Sequence, residues 1–312
     1  MIYLRIGGRV KEVPFGNINV EVGANWVHHP NMKYVKDIPL DNMVQEAGLN
    51  IVHDGYEDII VRYEGKNVTD EGLKEMERLE TAIDKCVELC QRKIEKKEPD
   101  INFRAALRLS DWHPRTPIQK ASEYWFFDFE YGDEPEDTGV KNNAYTYKDH
   151  GDDDLFIADK RGFAQIIRNL ADKIPLEEGK NLHFNKYVIH IKYNEPGDYP
   201  IKVIANDTIT GELYEYVAKW VIVTFSIGVL QSDRVAFEPK LPPWKEEGIY
   251  MFKMTRYIKI FMKFPDSIEA FWDDNHYIMY VDPHIRGKYQ MWQNLEARGK
   301  YFPKGKIFEK SV

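Results

Sequence analysis

The 312 residues are 43% hydrophobic and 13% aromatic, enough to bury a substantial core, and 30% charged with both signs interspersed. A formal net charge of −8 argues against nucleic acid or an anionic membrane as partner and favours cationic ligands. No apolar run reaches the ~18 residues of a membrane span, and no charged start followed by an apolar stretch marks a secretory leader.

In chain order, the stretch to about residue 30 is rich in Gly and Val and reads as irregular. Asp58 to Val68 reads as a hairpin around a Glu-Gly-Lys turn. From Asp70 to about Lys97, Leu73, Met76, Leu79, Ile83, Val87, Cys90 and Ile94 recur at three- and four-residue spacing, an amphipathic helix. Cys86 and Cys90, the two cysteines, share a face of that helix but are poorly placed to bridge. Thr116-Pro117 is a cap followed by a first-turn proline, opening a second helix. Gly162 to Lys173 reads as a short helix, and strands follow at Phe184–Tyr193, Ile201–Ala205 and Leu213–Phe225. The fold class is therefore mixed α/β, with helices and strands segregated along the chain.

The stretch TRYIKIFMKF, Thr255 to Phe264, alternates as a strand. Ile258, Ile260, Met262 and Phe264 share what is expected to be the core face, and Tyr257, Lys259, Phe261 and Lys263 share the other. An ammonium flanked by two aromatics needs an acceptor or a water. The alternative is an edge strand whose lysines point to solvent.

Most chemical motifs are missing. There is no G-x-S-x-G elbow, and His28-His29 lack the neighbours of a metal site, so no metal is expected. Gly-Gly-Arg at Gly7 to Arg9 could present amides and a guanidinium to a phosphate, as could any tight turn. In GANW, two small residues and an Asn precede a tryptophan, which would suit packing against a flat ring.

Taken together, IGGRV, INVEVGANWV, YWFFDFEYGDEP, GDDDLFIADKRGF, NKYVIHIKY, TFSIGVLQSD and FEPKLPPWKEEGIYMFKMTRYIKIFMKFP occur in the order seen in flavin-dependent polyamine oxidases. The chain resembles that branch of the amine oxidase family, most closely its plant extracellular type, from Ile6 to about Glu296. The resemblance implies an FAD-linked amine oxidase fold with two interleaved domains. The FAD-binding part would comprise residues 1–55 and 146–243. The substrate part would comprise 56–145, mainly helical, and 244–312, mainly sheet.

The same resemblance places Gly8 and Arg9 at the FAD pyrophosphate, Gly23, Ala24 and Trp26 along the isoalloxazine, and the Val188 backbone at the adenine edge. Lys259 matches the lysine that holds a water against the reactive flavin nitrogen. Trp26, His28, Glu130, Tyr131 and Tyr257 would line a tunnel for a polyamine such as spermine or spermidine. Oxygen would be the second substrate, hydrogen peroxide a product, and the protein a monomer. A flexible polycation needs carboxylates for its ammonium groups and aromatic walls for its methylenes, which the acidic, aromatic stretch Glu123 to Asp137 could supply.

Two departures stand out. His28 takes a position where close plant relatives carry a glutamate, so it holds no fixed negative charge. The chain also starts after the family's G-x-G-x-x-G unit and stops before its C-terminal segment. The expectation is an FAD enzyme by descent, with a truncated remnant that neither holds FAD nor catalyses as the alternative.

Overall fold

A computed structural model describes residues 5–16, 18–28, 39–54, 57–148, 154–255, 257–265, 267–297 and 307–311. The chain divides into two compact units: Arg9–Ile166 with Thr255–Val312, and Met1–Gly8 with Ile167–Met254.

The first unit opens with β1 (Glu12–Phe15) and β2 (Ile18–Glu21), an antiparallel pair in which Val13 faces Val20. The stretch expected to be irregular is thus partly sheet. β3 (Trp26–Val27) follows, then α1 (Pro39–Ala47), β4 (Ile51–His53), and the expected hairpin as β5 (Ile59–Tyr63) and β6 (Lys66–Asn67). The long helix α2 (Thr69–Glu95) buries Met76, Leu79, Ile83, Cys86, Val87 and Cys90, and both cysteines are free. Asp70 and Glu71 in its first turn and Arg92 and Lys93 in its last complement the helix dipole.

α3 (Phe103–Leu109) is capped by Asn102, and α4 (Pro117–Tyr124) by a full capping box between Thr116 and Gln119. A single π-helical turn, Trp125–Phe129, continues α4 and delivers Glu130 and Tyr131. Such insertions re-aim the residues that follow them and concentrate at functional sites. α5 (Val140–Lys148) and β7 (Leu155–Ile157) complete this stretch, and α6 (Ala164–Asp172) runs from one unit into the other.

In the second unit β8 (Lys186–Tyr193), β9 (Ile201–Asp207), β10 (Leu213–Ala218) and β11 (Ala236–Glu238) form a sheet of order β10-β9-β8-β11. The expected strand to Phe225 stops at Ala218, because Ala218 pairs with Ile201, the first residue of β9. Beyond it the neighbouring strand has run out. α7 (Ile227–Leu230) and α8 (Pro243–Met251) follow.

The chain re-enters the first unit as β12 (Lys259–Lys263), β13 (Tyr277–Val281), β14 (Met291–Asn294) and β15 (Ile307–Ser311). These join the early hairpin in a six-stranded sheet of order β12-β15-β14-β13-β5-β6, with β13 parallel to β5. Ile59, Val61, Tyr277, Met279 and Met291 pack one face onto α2, α4 and the π-helical turn. The other face gathers Ile60 and Ile278 with Met262, Phe264, Trp272 and Trp292.

The strand carrying Lys259 corrects part of the sequence reading: Met262 and Phe264 pack in that apolar cluster as their face is expected to, but its first half differs. Ile258 and Ile260, expected in the core, are 56% and 40% exposed. Phe261, on the lysine face, packs with Trp26, Phe156 and Leu295 instead. The register explains this: Phe261 lies in line with Gln293, Tyr277 and Ile59 across the sheet, on the side that carries the helices.

Candidate active site

Lys259 lies at the start of β12, half-buried, with its ammonium in a nest of oxygens. Nζ donates to the Gly23 carbonyl at 3.0 Å, to the Glu21 carbonyl at 3.4 Å, and to the Asn25 side-chain oxygen. Three acceptors match the three donors of an ammonium. The same nitrogen stands 4.8 Å from the centre of the Trp26 ring, a cation–π distance. So the lysine points neither to solvent nor into hydrocarbon.

The segment that supplies those carbonyls is held from behind. The amides of Val22 and Gly23 both donate to the Lys11 carbonyl, at 2.9 and 3.2 Å. A Cβ at Gly23 would lie 1.9 Å from the Arg9 carbonyl oxygen, so the two backbones meet where only glycine fits. Asn25 is buried and its carbonyl accepts from the Ile157 amide at 3.0 Å, joining the segment to β7.

Trp26 is fixed at both ends. Its ring meets Phe156 edge-on at 5.4 Å, and its indole N–H donates to Asp54 Oδ2. That oxygen also accepts from the Tyr277 hydroxyl at 2.9 Å, and Asp54 Oδ1 is 3.4 Å from His276 Nδ1. Two residues beyond Trp26, His28 Nδ1 lies 2.9 Å from Asp154 Oδ2. The Asp154 hydrogen bond raises the His28 pKa, and the charges of Asp154, Glu130 and Asp54 act in the same direction against partial burial. Glu130 is thereby placed within electrostatic reach of His28.

The structure brings Gly23, Trp26, His28, Glu130 and Lys259 into this one unit; Ala24 and Arg9 belong to the same unit, and Tyr131 follows Glu130. Tyr257 lies just before β12 and is 44% exposed. Gly8 and Val188 belong to the other unit. Gly7 and Gly8 both take positive φ, +105° and +53°, which favours glycine at both positions. Val188 borders a break in the β8–β9 register.

Sequence reasoning missed Asn25 as the partner of Lys259, and it missed Asp54, Asp154, Tyr277 and His276 altogether. For Asp54 the available signal was an acid immediately after the short apolar strand Ile51–His53. A hollow of about 500 Å³, walled by Phe264, Trp272, Tyr280 and Trp292, contains none of the expected site residues.

A flat, electron-poor ring system would suit this arrangement: an indole face and an ammonium already oriented by three oxygens, on a segment that Gly23 lets pack against the Arg9 backbone. Gly23, Ala24, Trp26 and Lys259 are the residues that would border it.

A family model described as flavin containing amine oxidoreductase matches residues 4–303. Polyamine oxidase 1 of Zea mays is 32% identical over 94% of this chain and 60% of its own length. Polyamine oxidase 6 of Oryza sativa subsp. japonica is also 32% identical, with the same two shares. The chain thus spans about 60% of the length of these curated relatives. Among solved structures, a CLA-producing fatty acid isomerase from P. acnes matches with a TM-score of 0.58 at 11% identity, over 99% of this chain and 69% of that one, a likeness of fold.

Proposed function

The chain belongs to the flavin containing amine oxidoreductase family, and from that premise we propose that it serves FAD-dependent oxidation of polyamines, spermine or spermidine, at a secondary amine. The observation that carries the reading is the Lys259 ammonium, held by the Glu21, Gly23 and Asn25 oxygens over the Trp26 ring. When bound, FAD supplies the hydride acceptor for the carbon beside the reacting nitrogen and the route for electrons to oxygen, which leaves as hydrogen peroxide.

The residues of this chain have separate tasks. Gly23 would let its segment fold close against Arg9, Ala24 would leave room beside the ring system, and Trp26 would wall one side. Gly8 and Arg9 would meet the pyrophosphate, and the Val188 backbone the adenine edge. Lys259 would hold a water at the ring in exchange for one of its present acceptors, the Glu21 carbonyl at 3.4 Å being the most distant. Glu130 would accept a hydrogen bond from a distal ammonium, while Tyr131 and Tyr257 would flank the methylenes. The reacting nitrogen must be neutral to give up hydride, so a cationic His28 near the path would disfavour a second positive charge beside it.

Titration of FAD into the purified chain, followed by its absorbance spectrum and amine-dependent peroxide release, tests this. Bound flavin bleached by spermidine faster than by a monoamine supports the reading. Bound flavin that a monoamine reduces and polyamines do not would overturn the substrate. A chain that binds no FAD would favour the non-catalytic alternative.

A further inference from the structure

Asp54 is the most deeply buried carboxylate beside the site, its side chain 1% exposed, and nothing in the proposed chemistry uses it. We propose that Asp54 is a positioning residue that acts on Lys259 through Trp26; this rests on the reading that Trp26 and Lys259 border the flavin.

Asp54 Oδ2 accepts from the indole N–H of Trp26 and from Tyr277 OH at 2.9 Å. Oδ1 stands 3.4 Å from Nδ1 of the fully buried His276. His276 is stacked on Tyr277 at 4.4 Å with an interplanar angle of 7°, and its other nitrogen is 2.6 Å from Gln293 Nε2. The Asp54 amide donates to the Asp154 carbonyl at 2.9 Å, so the residue is tied by its backbone as well. Every group around the carboxylate is itself locked.

Satisfying one indole N–H does not require a charge. A carbonyl or an amide would serve, without the cost of taking an anion out of water. What the charge adds is an effect on the ring. An N–H bonded to a carboxylate forms a stronger, more directional bond than one bonded to a neutral acceptor. It also leaves the indole richer in electrons, and the face of that indole carries the Lys259 ammonium at 4.8 Å. Anion, ring and cation stand in series, so the orientation of Lys259 depends on a carboxylate it does not touch.

Asp54→Asn keeps the shape and one acceptor oxygen and removes only the charge. In the chain without flavin, the Trp26 indole ¹⁵N–¹H resonance, identified by its loss in Trp26→Phe, is expected far downfield and slow to exchange, and to move upfield in Asp54→Asn. FAD affinity should fall roughly fivefold in Asp54→Asn, the scale of one weakened hydrogen bond. It should fall no further when Asp54→Asn is added to Trp26→Phe, because the effect passes through the indole. An unchanged resonance, or losses that add across the two substitutions, would overturn the proposal and leave Asp54 a packing residue. If Asp54→Asn does not fold, the parent alone decides: a fast-exchanging Trp26 indole at an ordinary shift overturns it. If the parent binds no FAD, the flavin reading fails while the resonance still reports on the Asp54–Trp26 coupling.

Discussion

Glu12 and Glu21 stand directly opposite each other across the β1–β2 ladder, two acids where like charges repel. The Glu21 carboxyl also presses on Gly162 at the head of α6: a Cβ there would lie 2.1 Å from its Oε1, and the φ of +66° favours glycine as well. Burial pushes the Glu21 pKa up to about 7, helped by Glu12, while the amides of Phe163 and Ala164 and the charge of Lys259 pull it down. The folded state therefore holds this proton more tightly than the unfolded chain. Its contribution to stability is complete below the ordinary value of 4.5, falls as pH rises, and is gone above about 7. Urea unfolding should show stability dropping between pH 5 and 8, with roughly 1–2 kcal/mol of the drop absent in Glu21→Gln. Parallel pH profiles for the parent and Glu21→Gln would refute this.

His28 offers a second titration of the same sign but different cause. Its cation is favoured by the 2.9 Å contact with Asp154 and by the charges of Asp154, Glu130 and Asp54. The His28 ring protons, followed by NMR against pH, should titrate above the ordinary histidine value. Asp154→Asn should bring the midpoint down, and Glu130→Gln should lower it by less. A midpoint indifferent to Asp154 would remove the pair from the site.

The elements that were legible in the sequence are those written in local spacing. The α2 stripe, the Thr116 capping box and the 58–68 hairpin each fit within one period or one turn, and the structure has all three. The parallel pairing of Ile59–Tyr63 with Tyr277–Val281 has no local signature, because it joins distant segments. The same limit governs the site. Gly23, Trp26 and Lys259 could be singled out as unusual residues in their own stretches. Asn25 and Asp54 act only through partners remote in sequence, Lys259 for one and Tyr277 for the other. Ile258 and Ile260 were misread because alternation tells which residues share a face, not how far along the strand that face is covered.

Arg286, in the turn between β13 and β14, ties the sheet to the π-helical turn, and its loss is expected to be costly. It donates to both oxygens of Asp128, one bond at 2.8 Å, and its Nε lies 3.4 Å from Glu123. Glu123, 1% exposed, is also gripped by Arg104 through two 2.6 Å bonds and by the Trp112 indole at 3.0 Å. Arg286→Met would leave the partly buried Asp128 on the π-helical turn without its cation, a loss of about 1–3 kcal/mol, less than for a fully buried pair. Burial already holds the Asp128 pKa up at about 7 despite Arg286. The stranded acid can therefore take a proton, and the penalty should be smaller at pH 6 than at pH 8. Asp128→Asn in the Arg286→Met background should restore much of the lost stability. Equal penalties at both pH values, with no rescue, would contradict the assignment.

Lys259→Met is the substitution that separates chemistry from architecture. Methionine has nearly the reach of lysine and no donor, so the Gly23 and Glu21 carbonyls and the Asn25 side chain lose the group that ties them to β12. The segment has other ties, through Lys11 and Ile157, so the fold should survive with a modest loss of about 1–2 kcal/mol. In an FAD-bearing form, flavin reduction or reoxidation should slow about 10²–10⁴-fold, the usual cost of losing a positioned proton-handling group. The Michaelis constant for spermidine should change little, because Glu130, not Lys259, is proposed to hold the distal ammonium. Gly23→Ala supplies the contrast: it forces the Arg9 carbonyl aside and should lower stability and FAD affinity together, with Lys259 still present. Stopped-flow traces for Lys259→Met that match the parent in both half-reactions would reduce this lysine to a strand-to-loop tether.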